Sequence, residues 1–346
     1  MTNFLSILGA LLLLTVFVAV HELGHYLAGR LLGFGILEYA IGMGPVVLKK
    51  VKSGIQYSIR ALPLGGMCRF YGEDEDVPEG AAAGMIPFSA QKLWKRAVVV
   101  ASGPVMNILL SVVFAAVSLG AFGDFVAEVQ EFSYENSAAE AAGMQTGDMI
   151  YAVEGERLLS YSEAVPAIRA ANPDEMEITV LREGKKVHLT LHDIYDAEAG
   201  YNRIGVNIGA ARRTYGFFGA IADSFGYVFA IVREMFQALG RMVTSGVQEG
   251  DVMGPVGTIT VMSEFVRYGW ETMLRMALLV SANLGILNIL PLPGLDGGRL
   301  AFMAVEGVRG KPVPPEKEGM VHFVGLALLF GLVILLTVKD IQGLLG

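Results

Sequence analysis

Cysteine is almost absent from this sequence, and its scarcity restricts the available chemistry. Only one of the 346 residues, Cys68, is a cysteine. A single thiol can form neither an intramolecular disulfide nor a zinc site built from several cysteines. Any metal that the chain binds must therefore be held by histidine, aspartate or glutamate.

Charged residues are also scarce. They make up 17% of the chain, whereas about a quarter of the residues of an average soluble protein are charged. Hydrophobic residues make up 53%, and the mean hydropathy is +0.51. These values indicate a membrane protein. The net charge of −8 also argues against nucleic-acid binding, which depends on a basic surface.

Long apolar windows predict the membrane spans. About 20 apolar residues are needed to cross the hydrocarbon core of a bilayer. Four windows are long enough, at roughly 4–31, 97–121, 272–290 and 320–338. We therefore predict an α-helical polytopic membrane protein with about four transmembrane helices.

A fifth apolar window, 216–239, is ambiguous because it carries Asp223, Arg233 and Glu234. Charges within a span are costly unless they serve a function. We interpret this window as an amphipathic helix that lies in the membrane interface.

The region between the second and third windows has the pattern of a soluble domain. Apolar and polar residues alternate at 125–129, 177–181 and 187–191, as in half-buried strands, and residues 182–185 form a predicted turn. The run from Ser137 to Ile150, with its A-G-x-x-x-G-D-x-I pattern, resembles a PDZ domain of bacterial proteases. Such domains bind extended peptide ends by strand addition. A small β-domain that binds nothing is the alternative.

Residues 36–70 also alternate like strands, at 36–41, 46–49 and 55–59. They follow the first span directly, and lipid cannot satisfy the backbone groups of a sheet. We expect a hairpin-like, membrane-associated β-sheet beside the active site. The acidic stretch 72–84 is predicted to be a loop.

Positive charge in short loops marks the cytoplasmic side of a membrane protein. Lysines and arginines are frequent in the loop between the first two spans and in the loop between spans three and four. Both loops are therefore expected to be cytoplasmic. The N-terminus and the PDZ-like region are then expected to be extracytoplasmic.

The first span contains the H-E-x-x-H pattern, at residues 21–25. Residues four apart share one face of a helix, so His21 and His25 can bind one metal. Glu22 lies beside them and can act as general base toward a metal-activated water. Three polar groups in a span are expensive without a partner, and we therefore favour a metal site over a structural polar cluster.

Catalytic zinc needs three protein ligands and one open position. The candidate third ligand is Asp296, because Pro291, Pro293 and Gly294 end the third span and let the chain turn a carboxylate inward. Taken alone, Asp296 could equally be a turn residue at the end of a helix. The H-E-x-x-H pattern favours ligation.

The depths of the two motifs agree with this interpretation. At about 1.5 Å per residue, His21 lies roughly 25 Å along a helix that begins at Phe4, in the cytoplasmic half of the membrane. Asp296 follows the cytoplasmic end of span three. The two can meet only if spans one and three run in the same direction. A further span at 216–239 would prevent this, which supports its interfacial placement.

Taken together, the H-E-x-x-H pattern, the N-x-x-P-x-P-x-L-D-G motif at 288–297 and the PDZ-like insert resemble the site-2 protease family, in the branch of the bacterial regulator-of-sigma-E protease. The resemblance implies an intramembrane zinc metalloendopeptidase of the bacterial inner membrane. It implies His21, His25 and Asp296 as Zn²⁺ ligands and Glu22 as the catalytic base. The substrates that it implies are single-pass membrane proteins, such as trimmed anti-sigma factors and remnant signal peptides.

The resemblance also assigns supporting residues. Gly103 and Asn107 match a G-x-x-x-N element of the second span, and Asn107 is expected to donate a hydrogen bond near the zinc or to the substrate carbonyl. Asn288 matches an asparagine that holds substrate. The run Gly254-Pro255-Val256-Gly257 matches a motif whose role stays unassigned. One PDZ-like unit is present where some relatives have two.

Three alternatives remain at this point. A membrane-surface zinc protease would share H-E-x-x-H but would usually take a further His or Glu as third ligand. A metal transporter would carry intramembrane His and Asp without needing Glu22, and a non-catalytic PDZ scaffold would tolerate loss of His21. We interpret His188 and His192 as ordinary surface or core residues, and His322 lies outside the constellation.

The predicted domain organisation has four parts. Residues 1–122 form a first membrane part that includes the sheet at 36–70, and residues 123–210 form the PDZ-like extracytoplasmic domain. Residues 211–270 form an interfacial amphipathic segment, and residues 271–346 form the second membrane part.

Overall fold

The structure is a computed structural model, and it describes residues 2–73, 86–246 and 253–345. Most of the loop predicted at 72–84 lies outside the described residues. The helices and strands follow one another in this order: α1 Thr2–Leu32, β1 Ile36–Lys52, β2 Ile55–Phe70, α2 Leu93–Phe122, β3 Asp124–Phe132, α3 Ala138–Ala141, β4 Met149–Val153, β5 Glu156–Arg157, α4 Ala164–Ala170, β6 Glu175–Arg182, β7 Lys185–His192, β8 Tyr195–Asp196, β9 Tyr201–Asn202, β10 Val206–Arg213, α5 Phe217–Ser245, α6 Pro255–Arg267, α7 Trp270–Ile289, α8 Asp296–Arg309 and α9 Pro315–Leu345.

Four of the described helices are long and apolar enough to cross a membrane, namely α1, α2, α7 and α9. The prediction of a polytopic membrane protein with about four spans is therefore confirmed. Helix α5, which covers the ambiguous window, is not among the four. The chain divides into two compact units, which we name the membrane unit (1–114 with 237–346) and the sheet unit (115–236).

In the membrane unit, helix α1 is packed against its neighbours by small and aromatic residues. Ala10 and Phe17 of α1 share a buried cluster with Met262 of α6 and Ala277 of α7. Phe17 also meets Phe114 of α2 edge-on, with ring centroids 6.1 Å apart. Helix α6 belongs to the stretch 211–270, for which interfacial placement stays a prediction.

Strands β1 and β2 form the sheet predicted at 36–70. Residues 53 and 54 turn the chain with φ of 54° and 78°, as in a two-residue hairpin. The register places residues 38–41 beside both 56–59 and 66–69, while 46–52 pair with 55–60. The outer ribbons of this sheet are therefore 46–52 and 66–70.

The outer end of the hairpin exposes apolar side chains. Val47, Leu48 and Val51 are each more than 60% exposed. Residues 36–42, in contrast, alternate between buried and half-buried side chains. An apolar surface of this kind suits contact with lipid, and membrane association of the sheet stays a prediction.

The sheet unit contains an antiparallel sheet with the order β10-β3-β4-β6-β7, to which β5 adds beside β4. Its core includes Ile150, Met176, Ile178 and Leu191, each 1% exposed or less. The turn predicted at 182–185 is present, since Glu183 and Gly184 join β6 to β7 with positive φ. Whether this unit is a PDZ domain stays a prediction.

Asp148 is a buried charged residue of the sheet unit, at 1% exposure. Arg182 donates to both of its carboxylate oxygens, from Nε at 2.8 Å and Nη2 at 2.7 Å, and the Gln145 N–H donates at 2.9 Å. Burial raises the pKa of Asp148, but the hydrogen bonds from Arg182 and Gln145 outweigh it, so the pKa lies below its ordinary value.

Candidate metal centre and active site

The two histidines of the H-E-x-x-H pattern lie on one face of α1, as their spacing predicts. His21 Nε2 and His25 Nε2 are 3.2 Å apart, and their rings meet edge-on with centroids 4.9 Å apart. Both side chains are about nine-tenths buried. The turn of helix between them thus brings two nitrogen ligands to one point.

Asp296 reaches the same point from the opposite end of the sequence. It is the first residue of α8, directly after the Pro- and Gly-rich turn that follows α7. Its Oδ2 lies 3.0 Å from His21 Nε2 and 3.4 Å from His25 Nε2. These three residues form a group that could hold a metal ion.

The spacing of the three ligand atoms matches zinc. Ligands about 2.0–2.1 Å from zinc at tetrahedral angles lie roughly 3.3–3.4 Å from one another. The observed separations of 3.0, 3.2 and 3.4 Å are close to that edge length.

Hydrogen bonding supports a cation at this point. The carbonyl oxygen of Val99 can only accept, so His25 Nδ1, 2.8 Å away, carries the proton and Nε2 presents its lone pair. Asp296 Oδ2 accepts no well-aligned hydrogen bond from the described residues, although it is buried. Lone pairs that converge without donors repel one another, and a cation would remove that repulsion.

Helices α1 and α2 approach closely because each has a glycine at the contact. A Cβ on Gly103 would collide with His25 Nε2 and lie 2.9 Å from His21 Cε1. A Cβ on Gly24 would collide with the carbonyl oxygen of Ser102. The small residue within H-E-x-x-H and the glycine of the G-x-x-x-N element therefore allow the imidazoles to fit between the helices.

The two predicted supporting asparagines have different surroundings. Asn107 is 1% exposed, with Nδ2 3.5 Å from His21 Nδ1, and its Oδ1 has no hydrogen-bond partner among the described residues. Its backbone carbonyl accepts from Ser281 Oγ of α7 at 2.8 Å. Asn288 is half-buried in the last turn of α7.

Glu22 faces the β-sheet. A Cβ on Gly66 of β2 would lie 2.8 Å from Glu22 Cγ. The ribbon 66–70 therefore borders the proposed base. Sequence reasoning placed the sheet near the site but missed this contact, the Val99 carbonyl and Ser281, because backbone groups and single hydroxyls leave no motif.

The run Gly254-Pro255-Val256-Gly257, which had no assigned role, begins α6. The N–H groups of Gly254 and Gly257 donate to the carboxylate of Asp340 in α9, at 3.3 and 2.8 Å. A Cβ on Gly254 would collide with that carboxylate. The motif thus joins α6 to α9 through a capping anion on another helix.

Two of the remaining histidines lie outside the cluster. His188 and His192 belong to β7 of the sheet unit, where His188 Nδ1 lies 3.0 Å from Thr179 Oγ1. Neither belongs to the group that could hold a metal.

Comparison with known proteins identifies the family. The model of peptidase family M50 matches residues 9–332, which is most of the chain. The chain belongs to this family. M50 is the site-2 protease family, so the resemblance seen in the motifs is confirmed.

Its relatives are similar along nearly the whole chain. The chain is 31% identical to the zinc metalloprotease RasP of Geobacillus kaustophilus, over 98% of this chain and 97% of the relative. It is 29% identical to RasP of Shouchella clausii and 26% identical to the regulator of sigma-W protease RasP of Bacillus subtilis, in both cases over 98% of this chain and 99% of the relative.

Membership in M50 excludes two of the three alternatives. The protein is a bacterial membrane zinc metalloprotease, rather than a metal transporter or a non-catalytic scaffold. Intramembrane proteolysis is the general activity of this group.

Proposed function

We propose that His21, His25 and Asp296 bind the zinc of this protease, and that Glu22 is the base in hydrolysis of peptide bonds within single-pass membrane proteins. The observation that carries the proposal is the convergence of three ligand atoms at separations of 3.0–3.4 Å. Glu22 adjoins them on α1 and faces the ribbon 66–70.

The zinc ion and the residues of the chain have different roles in the proposed reaction. When bound, zinc acts as a Lewis acid toward the scissile carbonyl and the attacking water. Glu22 takes a proton from that water and delivers it to the leaving amine.

The asparagines support this arrangement. If the amide of Asn107 turns its oxygen toward His21 Nδ1, that oxygen gains a donor and His21 presents Nε2 to the metal. In the other orientation, its amide can donate near the zinc or to the substrate carbonyl. Asn288, in the last turn of α7 before the Asp296 turn, is proposed to hold substrate.

A transmembrane substrate must be extended before it can be cut, because the hydrogen bonds of a helix shield its amides. We propose that the substrate pairs with an edge of the sheet, and ribbon 66–70 is the edge that borders Glu22. Prolines introduced into this ribbon should impair cleavage. Prolines in the other outer ribbon, 46–52, are the matched control, and full activity of the 66–70 variants would contradict strand pairing.

The sheet unit offers a groove for a peptide end. It lies between α4 and the edge strand β10, has a volume of about 160 Å³, and is lined by Val165, Ile168, Arg169, Arg203 and Val206 among others. An edge strand can pair with an extended peptide, and the two arginines favour a terminal carboxylate. This arrangement supports the PDZ interpretation.

The peptide-binding proposal can be tested with the full-length enzyme in detergent. A peptide with a free C-terminus should bind more tightly than the same peptide with a C-terminal amide. Val165→Glu, which adds a negative charge to the half-exposed wall of the groove, should weaken binding of the free acid. Equal affinity for the acid and the amide would contradict capture of a C-terminus.

Proposed substrates are anti-sigma factors already trimmed by another protease, and remnant signal peptides. The name of the Bacillus subtilis relative, regulator of sigma-W protease, supports the first class. We further propose an inner-membrane location with the N-terminus and sheet unit extracytoplasmic, and with the active site in the cytoplasmic half of the membrane. Helix α5 would lie in the interface, since Phe218, Phe225 and Phe229 are each more than half exposed.

The deciding experiment compares wild type with Glu22→Gln, purified in detergent. Zinc content is measured together with cleavage of a single-span substrate. We expect Glu22→Gln to retain zinc while cleavage falls by about 10²–10⁴-fold, the usual contribution of a general base. Undiminished cleavage by Glu22→Gln would exclude Glu22 as the base.

A further inference from the structure

His322 of α9, which no motif includes, contacts the turn that carries Asp296. Its Nδ1 lies 2.9 Å from the backbone nitrogen of Gly294, two residues before Asp296. Because an N–H can only donate, Nδ1 is the acceptor and His322 is held in one tautomer. The side chain is 19% exposed.

The turn has few hydrogen bonds of its own. Pro291 and Pro293 have no N–H, and the N–H groups of Leu292 and Leu295 are used locally, donating to the carbonyls of Leu290 and Leu292 at 2.6 and 3.2 Å. Gly294 has φ of +92°, a conformation that leaves its N–H directed at another element. The contact with His322 thus ties the backbone before Asp296 to the fourth span.

His322 also contacts the helix that begins with Asp296. Its ring lies 5.5 Å from that of Phe302, centroid to centroid, and a Cβ on Gly298 would lie 3.2 Å from His322 Cε1. One imidazole therefore touches the segments on both sides of the carboxylate.

Helix α9 packs tightly against the same turn. A Cβ on Gly325 would collide with Pro293, and a Cβ on Gly294 would lie 2.9 Å from Leu326 Cγ. Backbone of the turn and backbone of α9 are therefore as close as glycines allow. Sliding or rotation of α9 would have to move the turn.

We propose that His322 is a positioning residue that sets the Asp296 carboxylate for zinc binding, through its hydrogen bond from Gly294. The proposal rests on the assignment of Asp296 as a zinc ligand. Metal sites tolerate errors of only about 0.2 Å in ligand distance, so a backbone shift two residues away lowers affinity. Loss of such supporting contacts typically weakens metal binding by about 10–100-fold.

The test uses three substitutions at one position in the full-length enzyme. His322→Asn keeps an acceptor close to the place of Nδ1, whereas His322→Gln carries the same amide one bond further out. His322→Phe keeps a ring against Phe302 and has no acceptor. Phe323→Leu changes the neighbouring residue, which is 72% exposed, and is the control.

The main readout is zinc affinity, measured by competition with a chelator. A second readout is the visible absorption spectrum of the enzyme loaded with Co²⁺, which reports the geometry of the ligands. We expect about 10–100-fold weaker zinc binding and an altered Co²⁺ spectrum in His322→Gln and His322→Phe. His322→Asn and Phe323→Leu should stay close to wild type.

Wild-type zinc affinity in both His322→Gln and His322→Phe would overturn the proposal. Equal losses of zinc affinity in His322→Asn and His322→Gln would also overturn it, and so would failure of His322→Asn to fold. In both cases the reason is that an acceptor at the δ position should be sufficient to keep the turn in place. Asp296→Ala serves as the separate control for the site. If Asp296→Ala keeps zinc with wild-type affinity, the assignment of Asp296 as a ligand is wrong. If Asp296→Ala loses zinc while the His322 variants keep it, Asp296 is a ligand and only the role proposed for His322 is wrong.

Discussion

Each of the two units contains an aspartate with a buried carboxylate oxygen, and the two carboxylates have different partners. In the sheet unit, Asp148 is 1% exposed and receives hydrogen bonds from Arg182 and from the N–H of Gln145. In the membrane unit, Asp296 meets two imidazoles, and its Oδ2 has no well-aligned donor among the described residues.

The difference separates a carboxylate that has its partner within the chain from one that is proposed to bind a metal. Asp148 has its counter-charge within the chain, so its site is complete without a ligand. Asp296 faces two imidazole nitrogens that can offer lone pairs, and a cation bound there would satisfy all three groups together. A buried aspartate therefore indicates a metal site only when its hydrogen-bond and ion-pair partners are known.

The largest contrast is expected from removing each carboxylate. Asp296→Ala should reduce zinc content and substrate cleavage to background, because two imidazoles alone make an incomplete site. Asp148→Ala should leave zinc stoichiometry unchanged. Metal analysis of the two purified variants checks this, and zinc loss from Asp148→Ala would show that the comparison fails.

The second-largest effect on activity is expected from a substitution that narrows the space between α1 and α2. In Gly103→Ala, the added Cβ would displace the His25 ring, and a misplacement of about 1 Å at a reacting centre costs about 100-fold in rate. The measurement is kcat with a single-span substrate. Gly331→Ala, in α9, is the control because a Cβ there meets nothing within 4 Å. Equal activities of the two variants would mean that the helix contact does not set the imidazoles.

A smaller effect, on stability rather than on catalysis, is expected from Asp148→Asn. It leaves the Arg182 charge with a neutral partner, and we expect a loss of about 2 kcal/mol, less than for a fully buried pair because Arg182 is 28% exposed. Hydrogen exchange in β4 and β6 of the full-length protein measures it. Unchanged exchange in these strands would contradict a stabilising role for the pair.

The smallest effect is the dependence of this stability on pH. The pKa of Asp148 is lowered in the folded protein, so its contribution is fully present above the unfolded pKa of about 3.9 and is lost as the pH falls through the folded value. Protection of β4 and β6 should therefore decrease below about pH 4, and should decrease less in Asp148→Asn. An identical pH dependence in both proteins would assign the effect to other groups.

Much of the site could be predicted because its signals are local or strongly constrained. His21 and His25 are one helical turn apart, so their convergence follows from helix geometry alone. The four spans follow from length and hydropathy, and the helix-breaking residues before Asp296 indicated where a carboxylate could turn inward. The turn at 182–185 followed from its glycine.

Other features could not be predicted, because they depend on contacts between distant segments. His322 has the appearance of an isolated histidine near the start of a span, and nothing nearby in sequence links it to Gly294. The contact of Glu22 with Gly66 depends on how β2 folds against α1. The partner of the Gly254–Gly257 motif is Asp340, which lies in another helix and is brought to the motif only by the tertiary structure.

The sequence by itself determined that this is a membrane protein and that two histidines share one face of α1, since the first depends on composition and the second on the period of one helix. The tertiary structure decided whether Asp296, which taken alone could equally be a turn residue, meets the two histidines, and how Asp148 is paired. Both aspartates follow glycine-containing turns, and their roles differ because Arg182 lies across one of them and two imidazoles lie across the other. Those partners are separated from the aspartates by up to 275 positions along the chain, and only folding brings them together.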